Sequence, residues 1–285
     1  MEQPIIAKRE VTRYILKRFG LHMNKKLGQN FLVDEDVVHG VVDAAEINEN
    51  DVVLEIGPGI GTLTQGLLEA GAEVFAVELD KRLPPILEHT LEGYDKLHII
   101  NADILKTDIK ALIGDRPFKV AANLPYYITT PIIMYLLEAK LPITGLVTMV
   151  QKEVAERMTA IPGNKIYGAL SVAVQYYSHP QICFDVAPQS FMPKPEVVSS
   201  VILCKVYDER PIKPIDEKMF FRVVKASFGQ RRKTLSNSLG NLGVAKEIIK
   251  EVLEESAIDG KRRGETLSLQ DFAVLADNFS KKQFI

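Results

Sequence analysis

Asn123-Leu124-Pro125-Tyr126 follows directly on the apolar run Phe118-Lys119-Val120-Ala121-Ala122, and no other stretch of the chain displays its chemistry as plainly. A strand ending there carries an amide, a stiff proline turn and an aromatic ring to the carboxyl edge of a sheet, where α/β enzymes keep their reacting groups. The amide oxygen of Asn123 can accept from an exocyclic NH2 group. Pro125 opens a bend that presents backbone carbonyls, and Tyr126 offers a face on which a flat base can stack. The set suits chemistry at an amine of a nucleobase.

A second group lies upstream. Asp51-Val52-Val53-Leu54-Glu55-Ile56 is an apolar, β-branched run that leads into Gly57, Gly59 and Gly61 and then a helical pattern from Thr62. Strand, glycine turn and helix let a ligand approach the backbone closely and meet the free N–H groups of a helix start. The spacing is not the dinucleotide fingerprint, whose third glycine falls one residue later. Glu55, two residues before the first glycine, suits a ligand with an amino group or a sulfonium better than a polyphosphate. Glu73-Val74-Phe75-Ala76-Val77-Glu78 makes a next strand, and Glu78 falls about twenty residues beyond Gly57, where a carboxylate can cap ribose hydroxyls. Leu97-His98-Ile99-Ile100 makes a third and leads into Asn101-Ala102-Asp103. In a parallel doubly wound sheet, Gly57, Glu78 and Asp103 become neighbours.

These residues place the chain by resemblance. It looks like a class I S-adenosylmethionine-dependent methyltransferase and, more closely, like the ribosomal RNA adenine dimethyltransferases. Four blocks carry the likeness: residues 26 to 32 (Lys-Leu-Gly-Gln-Asn-Phe-Leu), Glu55 to Gly61, Asn123 to Tyr126, and Phe191-Met192-Pro193-Lys194-Pro195-Glu196-Val197-Val198-Ser199. A fifth block, Phe228 to Leu235, resembles the small-subunit branch of that family. The resemblance implies S-adenosylmethionine as methyl donor, S-adenosylhomocysteine as product and Asn30, Leu32, Gly57, Glu78, Asp103 and Asn123 around the donor. It implies a catalytic group of Asn123, Leu124, Pro125, Tyr126 and Phe191. The substrate it implies is a pair of adjacent adenosines near the 3' end of 16S rRNA, in the small ribosomal subunit or its precursor, with a role in assembly of that subunit. Tyr127 departs from the pattern, since many relatives have Asn there. Large-subunit relatives of the resistance type typically have Ile where this chain has Leu124, and a non-catalytic nucleic-acid factor would not need the four core positions intact.

The elements that must position these groups follow from hydrophobic pattern. Strands are expected at 51–56, 73–79, 97–100, 117–122, 143–150, 170–177 and 197–206, alternating with helices, the last two antiparallel. The fold class is therefore α/β, a Rossmann-like seven-stranded sheet with a small C-terminal all-helical domain. Residues 1–24 read as a basic amphipathic helical extension with Val11, Tyr14, Ile15 and Leu16 at helix spacing. Residues 25–209 read as the methyl-donor-binding domain and 210–285 as a helical rRNA-binding domain.

Charge supports this division. The formal net charge is −2, yet residues 1–30 carry +5 and residues 211–285 carry +4, which leaves −11 between them. Local field rather than net charge steers a polyanion, and Arg231, Arg232 and Lys233 are the best candidates for phosphate contact. Cys183 and Cys204 have no metal-ligand spacing and read as buried thiols, and the five histidines form no ligand pair, so no metal is expected. No apolar run is long enough to span a membrane. The expectation is a cytoplasmic monomer.

Overall fold

The computed structural model describes residues 4–21, 29–230 and 232–282. They pack as two units, one comprising Met1–Ala155 and His179–Val206, the other Glu156–Ser178 and Tyr207–Ile285.

The strands are β1 (Phe31–Leu32), β2 (Val52–Ile56), β3 (Glu73–Glu78), β4 (Leu97–Asn101), β5 (Phe118–Asn123), β6 (Ile143–Gln151), β7 (Ser178–Val186), β8 (Phe191–Met192) and β9 (Ser199–Val206). Seven of them form one sheet in the order β4-β3-β2-β5-β6-β9-β7, while β1 and β8 pair separately and antiparallel. From β4 through β6 every neighbouring pair is parallel, and β9 returns antiparallel to β6. This is a doubly wound sheet. Successive strands move outward from β2 to β4, and the chain then crosses back to place β5 on the other side of β2. That reversal opens a crevice at the carboxyl ends of β2 and β5, the position where open α/β sheets bind ligands.

The first helices are α1 (Arg9–Arg18), α2 (Glu35–Ala44), α3 (Thr62–Glu69), α4 (Pro84–Thr90), α5 (Ile109–Ile113), α6 (Tyr126–Glu138) and α7 (Lys152–Thr159). All five residues of β2 are buried, as expected for a central parallel strand covered on both faces. Within this run Glu55 is the one charged side chain, so its burial is imposed by the strand that carries it. Helix α1 belongs to this unit's core: Ile6, Ala7, Ile15 and Leu21 join the cluster that contains Val38, Leu63 and Leu67. Its anchorage is also polar, because Ile6 N donates to Gln65 Oε1 at 2.8 Å and the Thr12 hydroxyl donates to Ile6 O at 2.9 Å. Tyr14, read from the pattern as part of the apolar stripe, points outward and is 60% exposed.

The remaining helices are α8 (Ala169–Tyr177), α9 (Glu217–Phe228), α10 (Leu235–Ser238), α11 (Lys246–Glu255) and α12 (Leu269–Lys281). Two expectations need correction here. Residues 170–177 are not a strand but α8, and the strand follows it as β7. Ser171, Val172, Val174, Tyr176 and Tyr177 are all buried, so the segment shows a nearly continuous apolar run in which no helical period can be read. Its helical start is fixed by side chains instead, since Gly168 N donates to Ser171 Oγ at 3.1 Å. Gln175 then holds the preceding turn by donating to Met158 O and Ala160 O. The second unit accordingly is not a continuous C-terminal segment from residue 210, because Glu156–Ser178 packs with it. Tyr176 stacks on Phe220 with ring centroids 4.9 Å apart, and Tyr167 meets Phe228 edge-on at 5.9 Å. Cys204 is buried as expected, whereas Cys183 is only half-buried.

Candidate active site

Four adjacent strands deliver the expected residues to one edge. β4 leads into Asp103, β3 ends at Glu78, β2 leads into Gly57, and β5 ends at Asn123. They line a cavity of about 270 Å3 together with Asn30, Leu32, Glu55, Tyr126 and Phe191. Residues 26–28 of the first sequence block lie outside the described residues.

The glycine turn shapes the floor. Gly57 and Gly59 have φ of +69° and +62°, a region costly for any residue with a Cβ. A Cβ at Gly57 would also lie 3.2 Å from Leu124 Cδ2, and one at Gly59 3.3 Å from the Phe31 ring. The turn thus tucks under both the β5 motif and β1.

Of the three carboxyl groups that line this cavity, Glu78 and Asp103 sit at neighbouring strand ends with different surroundings. Glu78 Oε2 accepts from Gly59 N at 3.2 Å and Oε1 accepts from Asp80 N at 2.8 Å. Burial still pushes its pKa up, against those N–H donors. Each oxygen retains a lone pair for a ligand hydroxyl. Asp80 is a residue the sequence did not point to. It is buried, it is gripped by Arg82 at 2.6 Å, and Gln29 Nε2 donates to it at 3.2 Å. It therefore ties the β1 approach to the Glu78 turn. Asn101 Nδ2 donates to Glu78 O at 2.8 Å and fixes the neighbouring strand end. Asp103 is more open, with Oδ1 accepting from Leu105 N at 3.1 Å and Oδ2 3.7 Å from Lys106 Nζ.

Glu55 is 1% exposed, and burial raises its pKa from 4.5 to about 8, against the opposing effect of the Thr64 hydroxyl and with the nearby Glu78 charge adding to the rise. Its Oε2 and the Thr62 hydroxyl, both at the cavity, are buried polar atoms without a hydrogen-bond partner among the described residues. Such atoms cost free energy unless something supplies the missing bonds. A carboxyl group that an ammonium would ionise and a hydroxyl, both open beside a helix start, complement a group bearing both an ammonium and a carboxylate. The methionine end of S-adenosylmethionine is such a group, so the residues present fit this ligand.

At the β5 end the geometry defines an acceptor pair. Asn123 Nδ2 donates to Asn30 O at 3.3 Å, which commits the amide nitrogen to β1's approach and leaves Oδ1 as an acceptor with no donor among the described residues. Pro125 O already accepts from Ile128 N at 3.1 Å and Thr129 Oγ1 at 2.9 Å. Leu124 O has only a 3.4 Å contact from the Thr129 hydroxyl among the described residues. Of the Leu124 and Pro125 carbonyls, Leu124's is the available one. Tyr126 is half-buried and its hydroxyl shares a 2.8 Å hydrogen bond with Ser199 Oγ, which is fully buried at the start of β9. Ser199 was included in the fourth sequence block, but its partnership across 73 residues could not be read there. Phe191 pairs with Leu32 across β8 and β1 and is 2% exposed, so it forms a fixed wall of the cavity and part of the core. Tyr127, the departure from the pattern, is 62% exposed and stands among the lining residues.

The basic candidates lie in the second unit. Arg232 and Lys233 are exposed in the turn between α9 and α10, and neither forms an ion pair with a described acid. Arg231 lies outside the described residues.

The sheet order, the glycine turn and the strand-end carboxylates define a class I S-adenosylmethionine-dependent methyltransferase fold. Comparison with known proteins gives the family. A family model described as ribosomal RNA adenine dimethylase matches residues 20–274. Ribosomal RNA small subunit methyltransferase A of Lachnoclostridium phytofermentans is 52% identical, over 94% of this chain and 95% of that protein. The protein of the same name from Alkaliphilus metalliredigens is 49% identical, over 95% and 97% respectively. A crystal structure of a dimethyladenosine transferase from Plasmodium falciparum superposes with a TM-score of 0.76 at 27% identity, over 88% of this chain and 98% of that one. The chain belongs to the ribosomal RNA adenine dimethylase family, S-adenosylmethionine-dependent enzymes that dimethylate adenine in ribosomal RNA.

Proposed function

We propose that this enzyme dimethylates two adjacent adenosines near the 3' end of 16S rRNA, within the small ribosomal subunit or its precursor. It acts in the cytoplasm as a monomer without a metal, and the modification accompanies small-subunit assembly. The names of relatives at 49–52% identity support the small-subunit reading. Among the described residues, no helix is long and apolar enough to cross a membrane. The observation that carries the chemistry is the Asn123 amide, held through its nitrogen by Asn30 O.

S-adenosylmethionine, when bound, supplies an electrophilic methyl on a sulfonium and departs as S-adenosylhomocysteine. Asn30, Leu32, Gly57, Glu78 and Asp103 hold it, with Glu78 at the ribose hydroxyls and Asp103 at the adenine amino group. The nucleophile is the target adenine N6, whose lone pair is delocalised into the ring. Asn123 Oδ1 and Leu124 O accept its two hydrogens, favour a pyramidal nitrogen and aim the lone pair. Tyr126 stacks on the base, Phe191 closes the opposite side, and Pro125 sets the bend between the carbonyl and the ring. The base must be unpaired or flipped to enter. Positioning supplies most of the rate, since forming the N–C bond as the S–C bond breaks makes the nitrogen acidic, and it then releases its proton to water without a dedicated base. For the second transfer, one acceptor keeps the remaining hydrogen while the pocket accommodates the first methyl. Arg231, Arg232 and Lys233 in the helical unit contact RNA phosphates.

The test offers small-subunit precursors lacking the modification, large-subunit RNA and DNA in parallel, with labelled S-adenosylmethionine. Two methyls on each of two adjacent adenosines in the small-subunit RNA is the expected result. Preferential labelling of large-subunit RNA, or none despite tight RNA binding, overturns it.

A further inference from the structure

The N-terminal helix precedes the residues matched by the family model, which begin at 20, and nothing in the site described above uses its outer face. Helix α1 buries Thr12 and Ile15 and turns Glu10, Arg13, Tyr14, Lys17 and Arg18 outward. At 100° per residue, these five fall within one side of the helix. The face therefore carries three cations against one acid. Lys8, just before the helix, is exposed as well. None of Arg13, Lys17 and Arg18 pairs with an acid among the described residues. Surfaces that serve only solubility usually interleave the two signs.

Two rings lie with these charges. Tyr14 is 60% exposed and Phe19 36%. Arg18 joins them, since its Nη1 donates to the Tyr14 hydroxyl at 2.9 Å and its guanidinium lies 5.9 Å from the Phe19 ring centroid. Cations interleaved with accessible rings are the composition that holds a nucleic-acid strand, phosphates on the charges and bases on the rings.

The helix is also fixed in place near the target-base side of the cavity. Its Arg9 side chain donates to Gln189 O, two residues before the Phe191 wall. That same turn is tied to the start of α2, where Ser190 O accepts from Val33 N at 2.8 Å and the Ser190 hydroxyl donates to Asp34 at 2.6 Å. With Ile15 and Leu21 in the core and Ile6 bonded to Gln65, α1 is an integral part of the catalytic unit.

From these observations we infer that the outward face of α1, formed by Arg13, Tyr14, Lys17 and Arg18, is a docking surface for the RNA strand that carries the target adenosine. The inference rests on the ribosomal RNA substrate proposed above. It places phosphate recognition within the catalytic unit itself, in addition to the basic turn of the helical unit.

The experiment compares the full chain with R13Q/K17Q/R18Q, R13K/R18K and E10Q, using small-subunit precursor particles that lack the modification. Particle affinity is measured across a potassium chloride series, alongside calorimetric affinity for S-adenosylmethionine and amide hydrogen exchange at β2 and β3. Loss of three phosphate contacts should lower the magnitude of the slope of log K against log salt by about 2, at roughly 0.7 per single-strand phosphate. Cofactor affinity and amide hydrogen-exchange protection of β2 and β3 should not change, since all three side chains are exposed. R13K/R18K should retain the wild-type slope, and E10Q should tighten binding. An unchanged slope and particle affinity in R13Q/K17Q/R18Q overturns the inference, as does E10Q weakening the complex. Affinity and slope are read whether or not methyl is transferred, so a wild-type enzyme that fails to label the particle overturns the proposed reaction separately.

Discussion

Glu55→Gln tests whether the buried carboxyl at the cavity floor is held neutral by its surroundings. In the folded chain, burial and the adjacent Glu78 raise its pKa from 4.5 to about 8. The folded state then binds a proton that the unfolded state has released, so unfolding becomes easier as pH rises through that window. By linkage, ionisation of Glu55 should lower stability by about 2.5 kcal/mol between pH 5 and pH 7, approaching roughly 5 kcal/mol above pH 9. Gln keeps the shape and cannot ionise. Its own imperfect hydrogen bonding adds an offset that does not vary with pH, so the pH dependence of the difference carries the test. Because the chain packs as two units, a single melting curve is a poor readout. Hydrogen exchange at the amides of β2 and β3 reports on the unit that holds Glu55. The gap between variant and wild type should widen by about 2.5 kcal/mol from pH 5 to 7 in favour of the variant. Parallel profiles over that range would refute the reasoning. A linked expectation concerns the ligand: if an ammonium meets Glu55, binding should expel its proton, and cofactor affinity should rise from pH 6 to 8 in the wild type but not in E55Q. Calorimetry in buffers of different ionisation enthalpy reads that proton directly.

Asn123→Ala removes the free acceptor at the target amine and should reduce single-turnover methylation by roughly 10² to 10³, while cofactor affinity changes far less; a near wild-type rate would remove Asn123 from the mechanism. Glu78→Gln retains an acceptor for one backbone N–H but loses the charge, and should weaken calorimetric S-adenosylmethionine binding about tenfold, a loss of roughly 1.4 kcal/mol. Tyr126→Phe and Ser199→Ala each break the same hydrogen bond and should each cost about 1 kcal/mol in kcat/KM. Tyr126→Ala also loses the stacking face, a further loss of about 1 to 3 kcal/mol. Equal effects of Phe and Ala at position 126 would assign the role to the hydroxyl instead of the ring.

Much of this site was legible in one dimension because it is built from strand ends. An apolar β-branched run that stops at a glycine, an acid or an amide announces both the strand and the residue at its edge. Gly57, Glu78 and Asp103 could therefore be placed together from the sequence pattern, and the family resemblance added Asn123 to them. The sheet requires β2, β3, β4 and β5 to be parallel neighbours, and parallel strands share one carboxyl edge. Alternation and run length do not distinguish a buried helix from a buried strand, and residues 170–177 show the consequence. Their apolar run is α8, since it is buried on nearly all sides and its start is set by Ser171. Packing of that helix against α9 also decided which segments make up the second unit, through rings such as Tyr176 and Phe220. The chemistry of the site depended on tertiary structure in the same way. The amino-acid types identified Asn123 and the Leu124-Pro125 carbonyls as acceptors. Which atoms are free was decided by partners distant in sequence, or by the turn of α6, as Asn30 takes the Asn123 nitrogen and Ile128 and Thr129 occupy Pro125 O. Glu55 was visible as an acid before a glycine turn, but its raised pKa comes from burial between β3 and β5, a property of the assembled sheet.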